Sequence, residues 1–536
     1  MTVLLALWAV LCAAPAPAQG IRVWVADDLT SVKRDDPPSG ATAASIQAAG
    51  NEYAGFQVVV KAPPQGPLSN VHVGVSDLSG PGVISSSTIK LYRAQYVPVR
   101  VRSPVERAGN PYYAGYLSPH APRDWADALI PASAPGGRYE SFPFSVPESS
   151  NQPVYVEIPV PKDAAAGAYR GAVTVTADGQ EPVSVAVALT VWGFALPDQP
   201  ALATDFLSYD RWLWVAAGAV GADQAALQEN IWAALTEHRI GTTQAGEAGT
   251  GAWTGSAADR SFTSAWLGRQ RMIHAPEKAS ARDLRDLMSY LSGIGRSRDI
   301  FVRCGDEPHS QAAYDDINRT SSFWRELGIP TQVTVGGRTS WDAFDADIWV
   351  AHHARLIPAR DRAAIRLKQA QGRKIWSYYC CEAPRALPNW MLDSDPIDFR
   401  ITPWLDFRSD YSGMLYWATA YWAAGAAAVW TNAGNGNGDG VLFYPGSEVG
   451  APHAAIPSAR LKAIRDGIED YDYLALLRSL GGGAQARELA AGIARDWDDW
   501  SRDPAELKAA RRQAAEGILR LLDRGGPVLP ATVRPP

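Results

Sequence analysis

Between residue 21 and about residue 195 the apolar positions recur every second residue or in short unbroken runs. IRVWVAD, FQVVVKA, VHVGVSDL, IKLYRAQYVPVRV and VYVEIPV are rich in β-branched and aromatic residues, which suit a pleated, half-buried surface. In GAVTVTADGQEPVSVAVALTVW two alternating runs flank Asp178-Gly179, the turn chemistry of a hairpin. No helical periodicity interrupts this region. Short strands separated by Gly, Pro and Ser turns predict an antiparallel β-sandwich over residues 19–196, with a structural role.

The pattern changes behind the proline-containing joint FALPDQPAL. DQAALQENIWAALTEH, ARDLRDLMSYLSGIG, HSQAAYDDINRTSSFWRELG and ARDRAAIRLKQAQG carry apolar residues at helical spacing. Between them lie the strand-like runs DIFVRC, PTQVTVGG, ADIWVAHH and RKIWSYYCC, and AAAVWTNAG reads as a late strand. Strands alternating with helices predict a parallel α/β unit, and the size favours a (β/α)8 TIM-type barrel over residues 197–480. Six of its strands are legible and two are inferred. No GxGxxG turn follows any strand, so a nucleotide-binding sheet is not expected. From residue 481 the chain is again helical and ends in a proline-rich tail, 481–536. The fold class expected is therefore multidomain: sandwich, barrel, C-terminal helical segment.

The first residues add a compartment. An apolar stretch from Val3 to Ala14 is followed by Ala16-Pro17-Ala18, the small residues a signal peptidase reads, so residues 1–18 are expected to be a signal peptide. That run is shorter than the roughly 20 residues a membrane span needs. The expected location is secreted, periplasmic or cell-surface. Cys12 leaves with the leader. Cys304, Cys380 and Cys381 remain, too few for a disulfide framework.

Charge adds an exclusion. The 536 residues carry a formal net charge of −6, so no basic excess recruits nucleic acid or an anionic membrane. Some of the 20 tryptophans are expected in the core, and that many also suits stacking on the apolar faces of a sugar.

Chemistry in a parallel barrel collects at the C-terminal ends of the strands. There the sequence places Asp306-Glu307, His352-His353, Tyr378-Tyr379-Cys380, and Trp430 with Asn432. Acids, aromatics and an amide converging on one mouth point to carbohydrate hydrolysis. An Asp-Glu pair ahead of a helix is otherwise a common helix-dipole feature. Neighbouring strand residues also point to opposite faces, so both acids can line one pocket only if Gly305 permits a bulge or twist. Adjacent histidines with no third ligand nearby do not make a metal site. GNGNGDG lacks the closing glutamate of a calcium loop. No GxSxG elbow is present. No metal or cofactor is expected.

VRCGDEP, KIWSYYC, SGMLYWATAYW, GDGVLFYPG and SARLKAIRDGIEDYDYLALL together resemble glycoside hydrolase family 123 and its relatives. EYAGFQVVV and VPKDAAAGAYRGAVTV resemble the sandwich those proteins carry ahead of the barrel. The resemblance implies a retaining β-N-acetylgalactosaminidase-like enzyme acting on a glycan, in which the sugar's own acetamide is the nucleophile. It implies Glu307 as general acid and then base, and Asp306 as the group that holds the acetamide N–H. Tyr378 is matched to the acetamide carbonyl, Trp417 and Trp422 to the pocket walls, and Arg400 and Trp404 to the family pattern in DFRITPW. Two alternatives stay open: a non-catalytic carbohydrate-binding protein on a degenerate barrel, and a glycosidase for sugars lacking an acetamide that pairs Glu307 with Asp210 or Asp406.

Overall fold

The computed structural model describes residues 20–103, 118–208, 210–241, 245, 253–276, 279–380, 387–433 and 436–525. The expected leader with Cys12, and Cys381, lie outside the described residues.

The N-terminal region folds as two facing sheets. One is five-stranded and antiparallel, in the order Arg22–Asp27, Glu52–Lys61, Asn151–Val160, Lys90–Val99, Arg123–Pro131. The other contains Ala43–Gly50, Val183–Ala195, Gly167–Thr176, Leu68–Val75 and Phe144–Val146 in that order, with a single parallel pairing between its first two members. Alternate residues such as Phe56, Val58, Val154, Val156, Val173 and Val187 fill the space between the sheets. The polar phase of VYVEIPV is not solvated: Tyr155 and Glu157 are buried too, because the outer face of the five-stranded sheet is covered by a C-terminal helix.

Behind the joint, seven parallel strands form one sheet: β1 (Ala203–Phe206), β2 (Ile273–His274), β3 (Ile300–Gly305), β4 (Thr331–Val335), β5 (Ile348–His352), β6 (Lys374–Tyr379) and β7 (Gly413–Tyr416). Their order is β1-β7-β6-β5-β4-β3-β2, the cyclic order of a barrel opened between β1 and β2. That gap is bridged by single backbone hydrogen bonds, Phe206 N–H to the Gly241 carbonyl and Ala245 N–H to the His274 carbonyl. Of the expected complete (β/α)8 barrel, the described residues show a parallel-strand partial barrel, with no eighth strand among them. A correction concerns AAAVWTNAG. Ala426–Trp430 is a short helix, as a run of alanines favours, and Trp430 donates to the Pro445 carbonyl in the core and is not at a strand end. The last strand is instead the short GMLY of β7, whose brevity hides it in the sequence.

Helix Ala459–Leu477 ties the regions together. All its residues from Arg460 to Leu477 are buried, charged ones included. Arg460 pairs with Asp127 at 3.0 Å and Lys462 with Glu157 at 2.8 Å, and Arg465 also reaches Glu157; both acids belong to the five-stranded sheet. On its other side, Asp470 takes the Arg400 guanidinium at 2.8 Å and Asp472 takes Arg239 at 2.7 Å. Gly467 lets helix Pro396–Arg408 approach closely, since a Cβ there would lie 2.6 Å from the Arg400 carbonyl. Helices Gly483–Ile493 and Pro504–Asp523 complete the cover. No helix among the described residues is long and apolar enough to cross a membrane.

Candidate active site

The acid pair stands where β3 ends, and β3 ends irregularly. Arg303 pairs with Gln332 and Gly305 with Val333, two residues of β3 against one of β4, so Cys304 is the extra residue of a bulge. The extra residue shifts the strand's phase. Gly305 turns outward beneath helix Gln311–Glu326, where a Cβ would lie 2.6 Å from Ile317. Asp306 turns inward. Glu307 then takes a left-handed backbone, φ +43°, which returns its side chain to the same mouth at a cost of order 1–3 kcal/mol.

Two features of β4 hold this turn. The Thr334 hydroxyl accepts the Glu307 N–H at 2.8 Å and donates to Asp306 Oδ1 at 2.7 Å. Gly336 seats the Glu307 carboxyl, because a Cβ at that position would lie 2.3 Å from Oε2. Asp306 is exposed, Glu307 half-buried and Thr334 buried. Burial, and next the charge of Asp306, push the Glu307 carboxyl above the usual carboxylate range, while the Tyr378 hydroxyl and His309 oppose this. Tyr378, at the end of β6, lies in hydrogen-bonding reach of Glu307 and of the Cys380 thiol. Burial, with Cys380, Glu307 and Asp306 adding to it, pushes its hydroxyl far up, so it stays neutral.

Beneath the acids the lumen is polar on one side. Asp205 of β1 is fully buried and takes His274 of β2 at 2.7 Å, Gln332 of β4 at 3.3 Å and Arg303 of β3. Burial alone would raise its carboxyl; His274 and Arg303 overcome that and hold it well below the usual range. Phe301, Val350, Trp376 and Leu415 fill the rest of the lumen, and Trp417 packs on them from the rim. The Trp417 indole N–H donates to Asp439 at 2.8 Å. Its ring meets Tyr421 at 5.0 Å, and Tyr421 meets Trp212 at 6.1 Å, an aromatic file leading away from the mouth.

The structure therefore brings together Asp306, Glu307, Tyr378 and Trp417. It does not bring Trp422, Arg400 and Trp404 to them, which corrects their assignment to the substrate. Trp422 is 1% exposed and donates to the Phe443 carbonyl. Arg400 and Trp404 lie on helix Pro396–Arg408, both bound to Asp470; their spacing in DFRITPW serves helix packing. Asp406 on the same helix is sealed in the core, where burial pushes its carboxyl well above the usual range and the Ser377 hydroxyl offsets this only in part. It cannot reach a substrate at the mouth. The side chain of Asp210 lies outside the described residues. His352 is buried, its ring pushed down to about 4 chiefly by burial, and stands edge-on to Tyr378 at 5.2 Å. Among the described residues no group of three His, Cys, Asp or Glu side chains is arranged to hold a metal ion. Cys304 and Cys380 are not in a disulfide with each other. Thr334, Gly336 and the Asp205 cluster carried no sequence signal, because each acts through a neighbour that only the folded chain supplies.

Comparison with known proteins fits this geometry. The profile of the glycoside hydrolase 123 catalytic domain matches residues 284–477, which contain the acid pair, and that of the glycoside hydrolase 123 N-terminal domain matches residues 24–177. The chain belongs to glycoside hydrolase family 123. It is accordingly a glycoside hydrolase. A family 123 glycoside hydrolase from Clostridium perfringens, whose structural study concerns glycolipid glycan hydrolysis, superposes with a TM-score of 0.65 at 14% identity, covering 95% of this chain and 99% of that one. This shows a shared fold. A Bacteroides ovatus family 5 xyloglucanase aligns over 84% of this chain and 100% of its own at 10% identity, but with a TM-score of 0.27, too low to support any argument. No curated protein sequence matches this family 123 chain.

Proposed function

We propose that this family 123 hydrolase is a retaining, β-N-acetylgalactosaminidase-like enzyme that uses the 2-acetamido group of its substrate as the nucleophile. The observation that carries the reading is the placement of the two acids side by side on one turn, tied to one hydroxyl. A pair that works as acid and protein nucleophile flanks the sugar, with carboxyl groups about 5 Å apart or more. Adjacent acids address the sugar from one side and leave the attack on C1 to the substrate.

Glu307, favoured in its protonated form by burial and by Asp306, gives its proton to the glycosidic oxygen as that bond breaks. The acetamide oxygen bonds to C1 and closes a five-membered oxazolinium ring. Asp306 accepts the acetamide N–H and balances the charge that develops there. Glu307, now the base, takes a proton from water as it opens the ring at C1, which restores the acetamide with net retention. Tyr378 orients the acetamide oxygen, and Trp417 takes an apolar face of the sugar. The leader-like residues 1–18 support export of the enzyme to a glycan outside the cytoplasm.

The test is a disaccharide carrying a terminal β-linked N-acetylgalactosamine, whose poor leaving group needs an acid. Glu307→Gln lowers kcat on it by about 10²–10⁴-fold, and less on a 4-nitrophenyl glycoside, whose leaving group departs unaided. Replacing the acetamide by trifluoroacetamide, a weaker nucleophile, slows the wild type. Equal cleavage of the plain galactoside overturns acetamide participation. A wild type that binds the sugar without cleaving it establishes the non-catalytic alternative.

A further inference from the structure

Thr334 is the junction of the acid pair, and its chemistry fixes more than position. A hydroxyl carries one proton and can accept at its lone pairs. The backbone N–H of Glu307 has no role except donor, so at 2.8 Å it occupies a lone pair of Thr334 Oγ1. The single Thr334 proton is then directed to Asp306 Oδ1 at 2.7 Å. That oxygen is an acceptor and carries no proton of its own. No equivalent donor from β4 meets Glu307, whose carboxyl lies over the bare Cα of Gly336.

We propose that Thr334 is the positioning residue that divides the proton between the two acids, keeping the charge on Asp306 and the transferable proton on Glu307. This rests on the proposed mechanism, in which only that one of the two singly protonated arrangements is productive. Hydrogen bonding to the charged form of an acid favours that form, and two such close groups titrate as a pair. The raised Glu307 carboxyl agrees with the assignment. Among the described residues the other groups that face the pair are His309 on its own turn, Tyr378 of β6 with Cys380 just beyond it, and His352 from β5 by way of Tyr378. Arg303 of β3 is committed to Asp205 one layer below. Of these, Tyr378 and His309 act on Glu307 and lower its carboxyl, the opposite of the inequality that the mechanism needs and that the Thr334 hydroxyl supplies.

The experiment is the pH profile of kcat for the disaccharide substrate. Its acid limb reports uptake of a second proton by the pair, and its alkaline limb reports loss of the Glu307 proton. Thr334→Val keeps the β-branched shape at a buried strand position and deletes the hydroxyl. It moves the acid limb to higher pH, leaves the alkaline limb in place and lowers kcat about tenfold or more, with a smaller change in KM. Thr334→Ser restores the acid limb. An unshifted acid limb in folded Thr334→Val overturns the proposal, because a merely structural role lowers the amplitude without moving the limb. Should Thr334→Val not fold, Thr334→Ala set against Thr334→Ser gives the same reading. Glu307→Gln separates the two claims. If it is inactive while the Thr334→Val profile is unshifted, this inference fails and the mechanism stands; if it keeps wild-type kcat, the mechanism itself fails.

Discussion

Glu307 is held between opposing neighbours, and each can be removed. Burial and Asp306 raise its carboxyl; Tyr378, in hydrogen-bonding reach, lowers it. Tyr378→Phe removes a stabiliser of the carboxylate, so the proton is held more tightly. The alkaline limb of kcat/KM therefore moves to higher pH, against a usual glutamic acid value near 4.3, and a rate profile from pH 4 to 9 measures the shift. A limb that stays put or moves down refutes the hydrogen bond. At this scale the sequence was informative in one direction. The acids and the tyrosine are legible from their place at strand ends, and the rim tryptophan only through the family resemblance. The resemblance misassigns Arg400, Trp404 and Trp422, because a matched motif does not distinguish a buried ion pair or a core indole from a binding residue until its partner is known. Asp470 and the Phe443 carbonyl, far along the chain, are those partners.

At the scale of elements, periodicity predicted the sandwich strands and the long helices closely. It failed for pieces too short to show a period: β1, β2 and β7, and the helix Ala426–Trp430. Helix Ala459–Leu477 was legible as a helix, but nothing in its sequence announced that its charges are buried against both neighbours. Burial alone would raise the Glu157 carboxyl, but Lys462 and Arg465 overcome that and hold it well below the usual range. Glu157→Gln takes from buried Lys462 the carboxylate it pairs with and leaves Arg465 to Asp466. Breaking a buried pair from one side costs about 3–5 kcal/mol, and the chemical-denaturation midpoint should drop accordingly. The folded fraction should keep wild-type kcat, since Glu157 lies in the sandwich sheet, away from β3 and β4.

Across the whole molecule, sandwich, partial barrel and C-terminal helices share one apolar core. Val97 and Trp125 of the sandwich, Trp349 and Met414 of the barrel and Ile518 of the last long helix all belong to it. A charged cleft of 470 Å³ between Asp28, Arg400, Asp466, Lys508 and Arg511 lies at the same junction and shares none of these residues with the acid pair. An interface that buries ions and apolar surface together does not open freely, unlike the smaller polar contacts between most domains. Calorimetry of the intact protein should therefore give one cooperative transition. A fragment of residues 20–196 made alone should fail to give a sharp transition, because the outer face of its five-stranded sheet, with Tyr92, Tyr155 and Glu157, would lie bare. Two separate transitions would show that the regions are autonomous.

Cys304 is a supernumerary residue in a ladder that is otherwise in step. Were Cys304 instead to take a regular place opposite Val333, β3 would run level with β4 to its end, every backbone group matched, while Asp306 rotated to the outside of the barrel and lost the reach of Thr334. The two acids would still adjoin one another, and an inspector of the bare text would see the same dipeptide. What separates a hydrolase from an inert scaffold at this spot is thus a miscount of one.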